Sequence, residues 1–273
     1  MPTLLHLSDV HFGPPEVPAH VAAIERRFAE RRWDLVAISG DLTQRNFAGQ
    51  FAKARAFLDK ARASAPTVVI PGNHDVAWWW CPVGLGAPSL MYRGYRRWID
   101  ANLEPTLHAA GATVVGVNSS HGIRPFTLTT RLRDLSVVGA VRASQWARAT
   151  RELAAAPKGD LRVLMLHHNV LRGTLSNRWG LTSREHGLDD VAASGCDVVL
   201  CGHDHEAQVE QVERGGRRYV VSQVNTISDR ARGGRPASFH ELSWDEASLR
   251  VRRCEWDARA GDFVDAHAWS FAR

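Results

Sequence analysis

The chain has 273 residues, is 44% hydrophobic and 23% charged, and carries a net charge of +5. That is an ordinary soluble globular composition with ample core. A membrane-spanning helix is excluded, because no apolar run approaches the ~20 residues that one requires.

The N-terminus, Met1-Pro2-Thr3-Leu4-Leu5, lacks the basic region and small-residue cleavage site of a signal peptide. Four cysteines (Cys81, Cys196, Cys201, Cys254) are scattered with no C-x-x-C pair. Reduced thiols and a cytoplasmic location are therefore expected. Of the 34 basic residues only Lys53, Lys60 and Lys158 are lysine, and arginine is spread over the whole chain. This reads as a composition bias. It does not form a nucleic-acid surface, although it would suit a small phosphorylated substrate.

Thr3 to Ser8 reads as a first strand, followed by Asp9-Val10-His11. Val21, Ile24 and Phe28 recur at helical spacing, so a helix is expected from about Ala19 to Arg32. Leu35 to Ser39 is a second strand, ending in Gly40-Asp41. Phe47, Phe51, Ala54 and Leu58 mark a second helix. Thr67-Val68-Val69-Ile70 is a β-branched strand stopped by Pro71-Gly72, just before Asn73-His74-Asp75. Strand and helix alternate here, which predicts a largely parallel sheet with helices packed on it.

Val76 to Leu90 reads as a loop, and Met91 to Leu107 as a helix. Ala112 to Asn118 is a fourth strand, Ser119 to Arg142 irregular or hairpin-like, and Ala143 to Ala156 a helix. Leu161 to Leu166 is a strand ending in His167-His168, Arg184 to Ala193 a helix, and Asp197 to Cys201 a strand before Gly202-His203-Asp204-His205. Four further strands around 209–213, 217–223, 238–244 and 249–256 read as a β-meander, with Gly215-Gly216 as a tight turn. There is no linker or repeat. One domain spanning 1–273 is expected, with two facing sheets.

The polar clusters share a position. Asp9, His11, Asp41, Asn73, His74, His167, His203 and His205 all follow carboxyl ends of predicted strands, the edge at which open α/β sheets bind ligands. If the segments stay extended, residues one and three point the same way, so Asp9/His11 and His203/His205 should each converge on one point. Setting His74 aside, two carboxylates, one amide oxygen and four imidazoles are too many for one four-coordinate zinc. They suit two transition metals sharing a carboxylate.

In chain order over residues 3–205, Asp9-x-His11, Gly40-Asp41, Gly72-Asn73-His74-Asp75, His167 and Gly202-His203-x-His205 resemble the signature of the calcineurin-like metallophosphoesterase superfamily. The local phrasing is most similar to bacterial members grouped with class III cyclic-nucleotide phosphodiesterases. The resemblance implies an α/β fold, a four-layer α-β-β-α sandwich of two facing mixed sheets, with a small cap or insertion around 76–107. It also implies a dinuclear centre. One metal would take Asp9, His11, Asp41 and His205, and the other Asp41, Asn73, His167 and His203, with Asp41 bridging. His74 matches the family's non-ligand histidine, which contacts the phosphoryl oxygen or the leaving group. The family often has His-His-Pro where this chain has His167-His168-Asn169. The first histidine is the matching ligand, so His168 is left out.

Manganese, iron and zinc all accept this mixture of donors. Two such ions about 3.5–4 Å apart would share a water and generate hydroxide near neutral pH. The first functional reading is thus hydrolysis of a small phosphodiester, a cyclic nucleotide or a related diester. A nuclease-like enzyme, or a hydrolase of phospholipid-precursor pyrophosphate or phosphate, is the alternative on the same core. A non-catalytic scaffold is the third reading, against which the intact donor set argues. No long basic, aromatic-interleaved segment supports the nuclease.

Trp78-Trp79-Trp80 reads either as an aromatic wall over the substrate or as a packed loop or homodimer contact, the second being favoured. Arg93, Arg96 and Arg97 are assigned to the same cap. Asn118-Ser119-Ser120-His121 is read as a satisfied turn. Arg230, Arg232 and Arg235 are set outside the site, because loop arginines are most often solvated.

Overall fold

The computed structural model describes residues 1–77, 88–127 and 137–273. The stretch Trp78-Trp79-Trp80 lies outside the described residues. In chain order the elements are β1 (Thr3–Leu7), α1 (Pro18–Glu30), β2 (Leu35–Ile38), α2 (Ala48–Ser64), β3 (Thr67–Val69), α3 (Pro88–Met91), α4 (Arg93–Trp98), β4 (Thr106–Ala109), β5 (Ala112–Val117), α5 (Ala143–Ala154), β6 (Leu161–Leu166), α6 (His186–Ser194), β7 (Val198–Cys201), β8 (Gln208–Arg214), β9 (Arg217–Gln223), β10 (Ser238–Trp244), β11 (Ser248–Asp257) and β12 (Asp262–Ala272).

Two six-stranded sheets result, in the orders β12-β11-β10-β1-β2-β3 and β4-β5-β6-β7-β9-β8. β1, β2 and β3 run parallel, as do β5, β6, β7 and β9; the remaining neighbours are antiparallel. Side-chain alternation along each strand decides the layering. Leu5 and Leu7 of β1, with Val36 and Ile38 of β2, pack with Val21, Ile24 and Phe28 of α1 and Phe51 and Leu58 of α2. Their alternates Leu4, Leu35 and Ala37 meet Val163, Met165, Val198 and Leu200 of the second sheet. The outer face of that sheet, through Leu164, Leu166 and Val199, packs with Ala149 and Leu153 of α5 and Val191 of α6. β2 (LVAI) and β7 (VVLC), buried on both faces, are apolar at every position, as parallel strands covered on both sides tend to be. Each large side chain so buried contributes about 1.5–3 kcal/mol. The architecture is the expected α-β-β-α sandwich.

Three expectations are corrected. The helix expected over Met91–Leu107 stops at Trp98, and its second half is a turn leading into β4. Asp100 and Asn102 each accept the N–H two residues on, at 2.9 and 3.0 Å, and these side chains compete with helix for the backbone. The expected meander is divided between the sheets. β8 and β9, joined by Gly215 and Gly216 with φ of 56° and 72°, attach to β7, whereas β10 and β11 attach to β1. β12 was not read from the sequence; it forms the edge of the first sheet and is exposed over much of its length. Among the described residues no helix is long and apolar enough to cross a membrane. Cys196, Cys201 and Cys254 are buried free thiols.

Candidate metal centre

The carboxyl ends of β1, β2 and β3 face those of β6 and β7, and the polar clusters lie in the turns that leave them. These turns are interlocked. The Asp9 N–H donates to Gly40 O and the His11 N–H to Asp41 O, both at 3.0 Å. Asp9, His11, Asp41, His203 and His205 have φ of 54°, 52°, 53°, 74° and 53°. The segments are therefore not extended, and simple alternation is not what aims these side chains. Left-handed backbone at non-glycine residues costs about 1–3 kcal/mol each and persists only where surrounding bonds impose it. Gly72 must stay bare, since a Cβ there would lie 2.0 Å from Asp41 Oδ1.

Two groups of donors face one another. In the first, His205 Nε2 is 3.1 Å from Asp9 Oδ1, and His11 Nε2 is 3.1 Å from His205 Nε2 and 3.6 Å from Asp9 Oδ1. In the second, Asn73 Oδ1 is 3.1 Å from His167 Nε2 and 3.0 Å from His203 Nδ1, and those two nitrogens are 3.3 Å apart. Asp41 Oδ2 reaches both, at 3.7 Å from His11 Nε2 and 3.3 Å from His167 Nε2. His203 and His205 thus serve different groups and do not converge on one point. His74 is also close: a ring nitrogen lies within 4.8 Å of the nearest donors of His11 and Asp41.

Hydrogen bonds at the far side of the rings fix the tautomers. His167 Nδ1 donates to Ser39 O at 2.8 Å and His205 Nδ1 to Arg230 O at 3.0 Å. A carbonyl can only accept, so in each neutral ring Nε2 is a bare lone pair. Those lone pairs point at carboxylate and amide oxygens, acceptor against acceptor, and Asp9 Oδ1 is buried without a hydrogen-bond donor. Such an arrangement calls for a cation between the atoms. In the protein alone the proton is the only one available. Burial opposes a charged His167, but Asp41 and Asp9 outweigh it and push the ring up to about 9. Burial pushes His11 down to about 4, with Asp9 pulling the other way. Both carboxylates are held well below their usual range: burial opposes this, and the surrounding imidazoles overcome it. A buried set of two ionised carboxylates, four imidazoles and an amide oxygen fits two transition-metal ions.

The supporting residues were only partly visible in the sequence. Asp75 accepts N–H bonds from Leu42, Thr43 and Gly72 at 3.1, 2.8 and 3.0 Å, so it clamps the Asp41 turn to the Asn73 turn. His168 takes no part in the donor groups. Its Nε2 donates to Val137 O at 3.0 Å, its Nδ1 meets Ser119 Oγ at 2.8 Å, and its ring lies 4.4 Å from that of His203. A cavity of about 280 Å³ opens over Asp41, Asn73, His74, His203 and His205, and Arg178, Arg230 and Arg232 also line it. Arg230 and Arg232 thus belong to the lining and are not merely solvated loop arginines, and Arg178 joins them with no signal in the sequence. Arg93, Arg96, Arg97 and Arg235 do not line the cavity. Asn118 closes a turn by accepting the Ser120 N–H at 2.9 Å.

A two-sheet sandwich with an Asp/His/Asn cluster at its strand ends defines the metallophosphatase type of fold. Residues 2–207 match the calcineurin-like phosphoesterase family. The chain belongs to that family, whose members use a dinuclear metal centre, and membership points to a phosphoric ester hydrolase. Purple acid phosphatase PPD1 from yellow lupin (Lupinus luteus) seeds is similar in structure, with a TM-score of 0.68 and 12% identity over 100% of this chain and 54% of that one. PhoD gives a TM-score of 0.68 at 11% identity, over 99% of this chain and 69% of that one. GAP50 of Plasmodium gives 0.53 at 11% identity, over 99% and 88%. The chain spans about half the length of the lupin phosphatase, and at these identities the likeness is one of fold. No curated protein matches the chain.

Proposed function

We propose that the protein is a dinuclear-metal phosphoesterase that hydrolyses a phosphodiester bond of a small substrate, a cyclic nucleotide or a related diester. The observation that carries this reading is the pair of facing acceptor groups joined through Asp41 Oδ2. Asp9, His11, Asp41 and His205 would hold one ion, and Asp41, Asn73, His167 and His203 the other. Bound there, manganese, iron or zinc would supply an activated water and positive charge against the phosphoryl oxygens.

The chain's own residues do the rest. Ser39 O and Arg230 O fix the tautomers of His167 and His205, so that Nε2 faces inward in both. His74 donates from Nδ1 to Gln44 O at 2.7 Å, which fixes the orientation of its ring in the cavity lining. Burial lowers the His74 pKa, against the pull of Asp41. An anionic phosphoryl group in the cavity favours the charged ring, which can then hold a phosphoryl oxygen or protonate the departing one. No covalent enzyme intermediate is required.

Residues 1–273 are read as one domain with a cap around 76–107. Tyr92, in the described part of that cap, donates to Ser120 O at 2.8 Å, and Ser120 Oγ in turn bonds Pro71 O beside the site. Substrate selection is assigned to this cap. The buried free thiols favour a reducing, cytoplasmic setting.

The deciding experiment measures metal content together with hydrolysis of bis-p-nitrophenyl phosphate and p-nitrophenyl phosphate, before and after chelation and manganese add-back. Roughly two metals per chain and a chelation-sensitive preference for the diester are expected. A folded protein with no metal and no rescue would leave the scaffold reading in place.

A further inference from the structure

The donor groups account for the cavity's floor, but not for its arginines. Two loops bring them there, and both are tied down. In the first, Arg178 O accepts the Gly173 N–H at 2.9 Å, and the Arg178 N–H donates to Ser176 Oγ at 3.2 Å. Ser176 Oγ in turn donates to Asp204 Oδ2. In the second, Arg230 O accepts from His205 Nδ1, and the Arg232 N–H donates to His205 O at 3.0 Å. Asp204 joins the loops: its carbonyl takes Arg232 Nε at 2.5 Å, and its Oδ1 lies 3.2 Å from Arg232 Nη2. Arg232 is thereby offset by a carboxylate. Arg178 and Arg230 are not. Among the described residues no carboxylate reaches either guanidinium, and the partner of Arg230 is the neutral Gln44 Oε1 at 3.0 Å.

Charge decides what such a cavity takes. Two divalent ions, if held by Asp9, Asp41 and the neighbouring imidazoles, would leave the floor cationic, since two carboxylates offset only half of their charge. A diester monoanion together with one hydroxide would neutralise that excess. Two guanidiniums without acid partners remain, on loops fixed before any ligand arrives. Arginine forks pair best with phosphoryl oxygens, two bonds at a time.

We propose that Arg178 and Arg230 bind a second phosphoryl group of the substrate, adjacent to the one over the donor groups. The substrate class is then a diester with two neighbouring phosphoryl groups, such as an ester of a nucleoside diphosphate, in preference to a cyclic nucleotide. For the chemistry this rests on the phosphoesterase reading; the binding of the second group does not.

The test is calorimetric titration of the metal-loaded protein with adenosine diphosphate and adenosine monophosphate. It uses the wild type, the Arg178→Gln/Arg230→Gln variant and the Arg178→Lys/Arg230→Lys variant. Charge-assisted bonds to one extra phosphate should make the diphosphate bind about tenfold more tightly in the wild type. The Gln pair should reduce that ratio to about twofold or less, and the Lys pair should retain part of it. Equal affinities in the wild type would overturn the proposal. So would a preserved ratio in a Gln variant with an unchanged melting temperature. A diphosphate preference without any hydrolysis of bis-p-nitrophenyl phosphate would sink the phosphoesterase reading and leave this subsite standing. Hydrolysis without the preference would do the reverse.

Discussion

His6 and His11 lie five positions apart in the sequence, both fully buried, and they belong to opposite kinds of histidine. His6 sits between the sheets, with Nε2 at 3.0 Å from Ser39 Oγ and Nδ1 at 3.2 Å from Ser222 Oγ; the same serine meets His240 Nδ1 at 2.8 Å. Hydroxyls rotate to donate or accept, so the neutral His6 ring is served at both nitrogens by neighbours that adapt. Burial pushes His6 down to about 3, although the charge of Asp9 pulls the other way. His11, His167, His203 and His205 instead face carboxylate, amide and imidazole acceptors that cannot adapt. Burial makes a histidine a neutral core residue; fixed acceptors brought in by left-handed turns make it a candidate ligand.

The strongest way to break this contrast is to remove the atom that joins the two donor groups. Asp41→Ala should lose bound metal by elemental analysis and cut diesterase turnover by about 10³-fold or more, since both halves of the centre depend on it. His74→Ala should retain full metal content and lose about 100-fold in turnover, the usual scale for a positioned proton donor. Its geometry makes this informative, because the ring lies as near to His11 and Asp41 as a ligand would. Loss of one metal in this variant would move His74 into the donor set, and full activity would remove it from the chemistry. Asp75→Ala should weaken metal affinity by about tenfold without touching a ligand. It strands the buried N–H groups of Leu42, Thr43 and Gly72, each at a cost of about 1–3 kcal/mol, and loosens the clamp on Asp41. Stability and metal affinity should fall together. An unchanged affinity would mean that the two turns hold their shape unaided.

Strands β1–β3 and β5–β11, helices α1, α2, α5 and α6 and the positions of the eight polar residues were legible, the last because each lies where apolar periodicity stops; the division of the strands between two sheets was not. What aims those residues was not. Alternation along an extended segment predicts that Asp9 and His11 converge, yet both adopt left-handed backbone held by Gly40 O and Asp41 O. Those partners are some thirty residues away, and no local pattern announces them. Arg178 was invisible for a similar reason. It reaches the cavity through a loop tied to Asp204, a contact that Ser176 makes across 28 residues of chain. β12 was missed because an edge strand, exposed over much of its length, has no strong apolar alternation to display.

The smallest effect concerns the interior histidine. An unfolded chain titrates His6 near 6.5, whereas burial holds the folded one at about 3. Between those values the unfolded state carries one more proton at this position. The stability tied to a neutral His6 is thus fully present above pH 6.5 and is lost as the pH falls, at about 1.4 kcal/mol per pH unit. His6→Gln keeps donors and acceptors for Ser39 and Ser222 but cannot titrate. Urea unfolding of both proteins at pH 7, 6 and 5 should show the variant losing stability less steeply by about that slope. Acid also strips metal, but it does so from both proteins, and the difference between them isolates the ring. Parallel pH profiles would mean that folded His6 takes up its proton as readily as the unfolded chain. The inter-sheet layer would then tolerate a charge, and the separation between a core histidine and a ligand histidine would depend on neighbours alone, with burial counting for little.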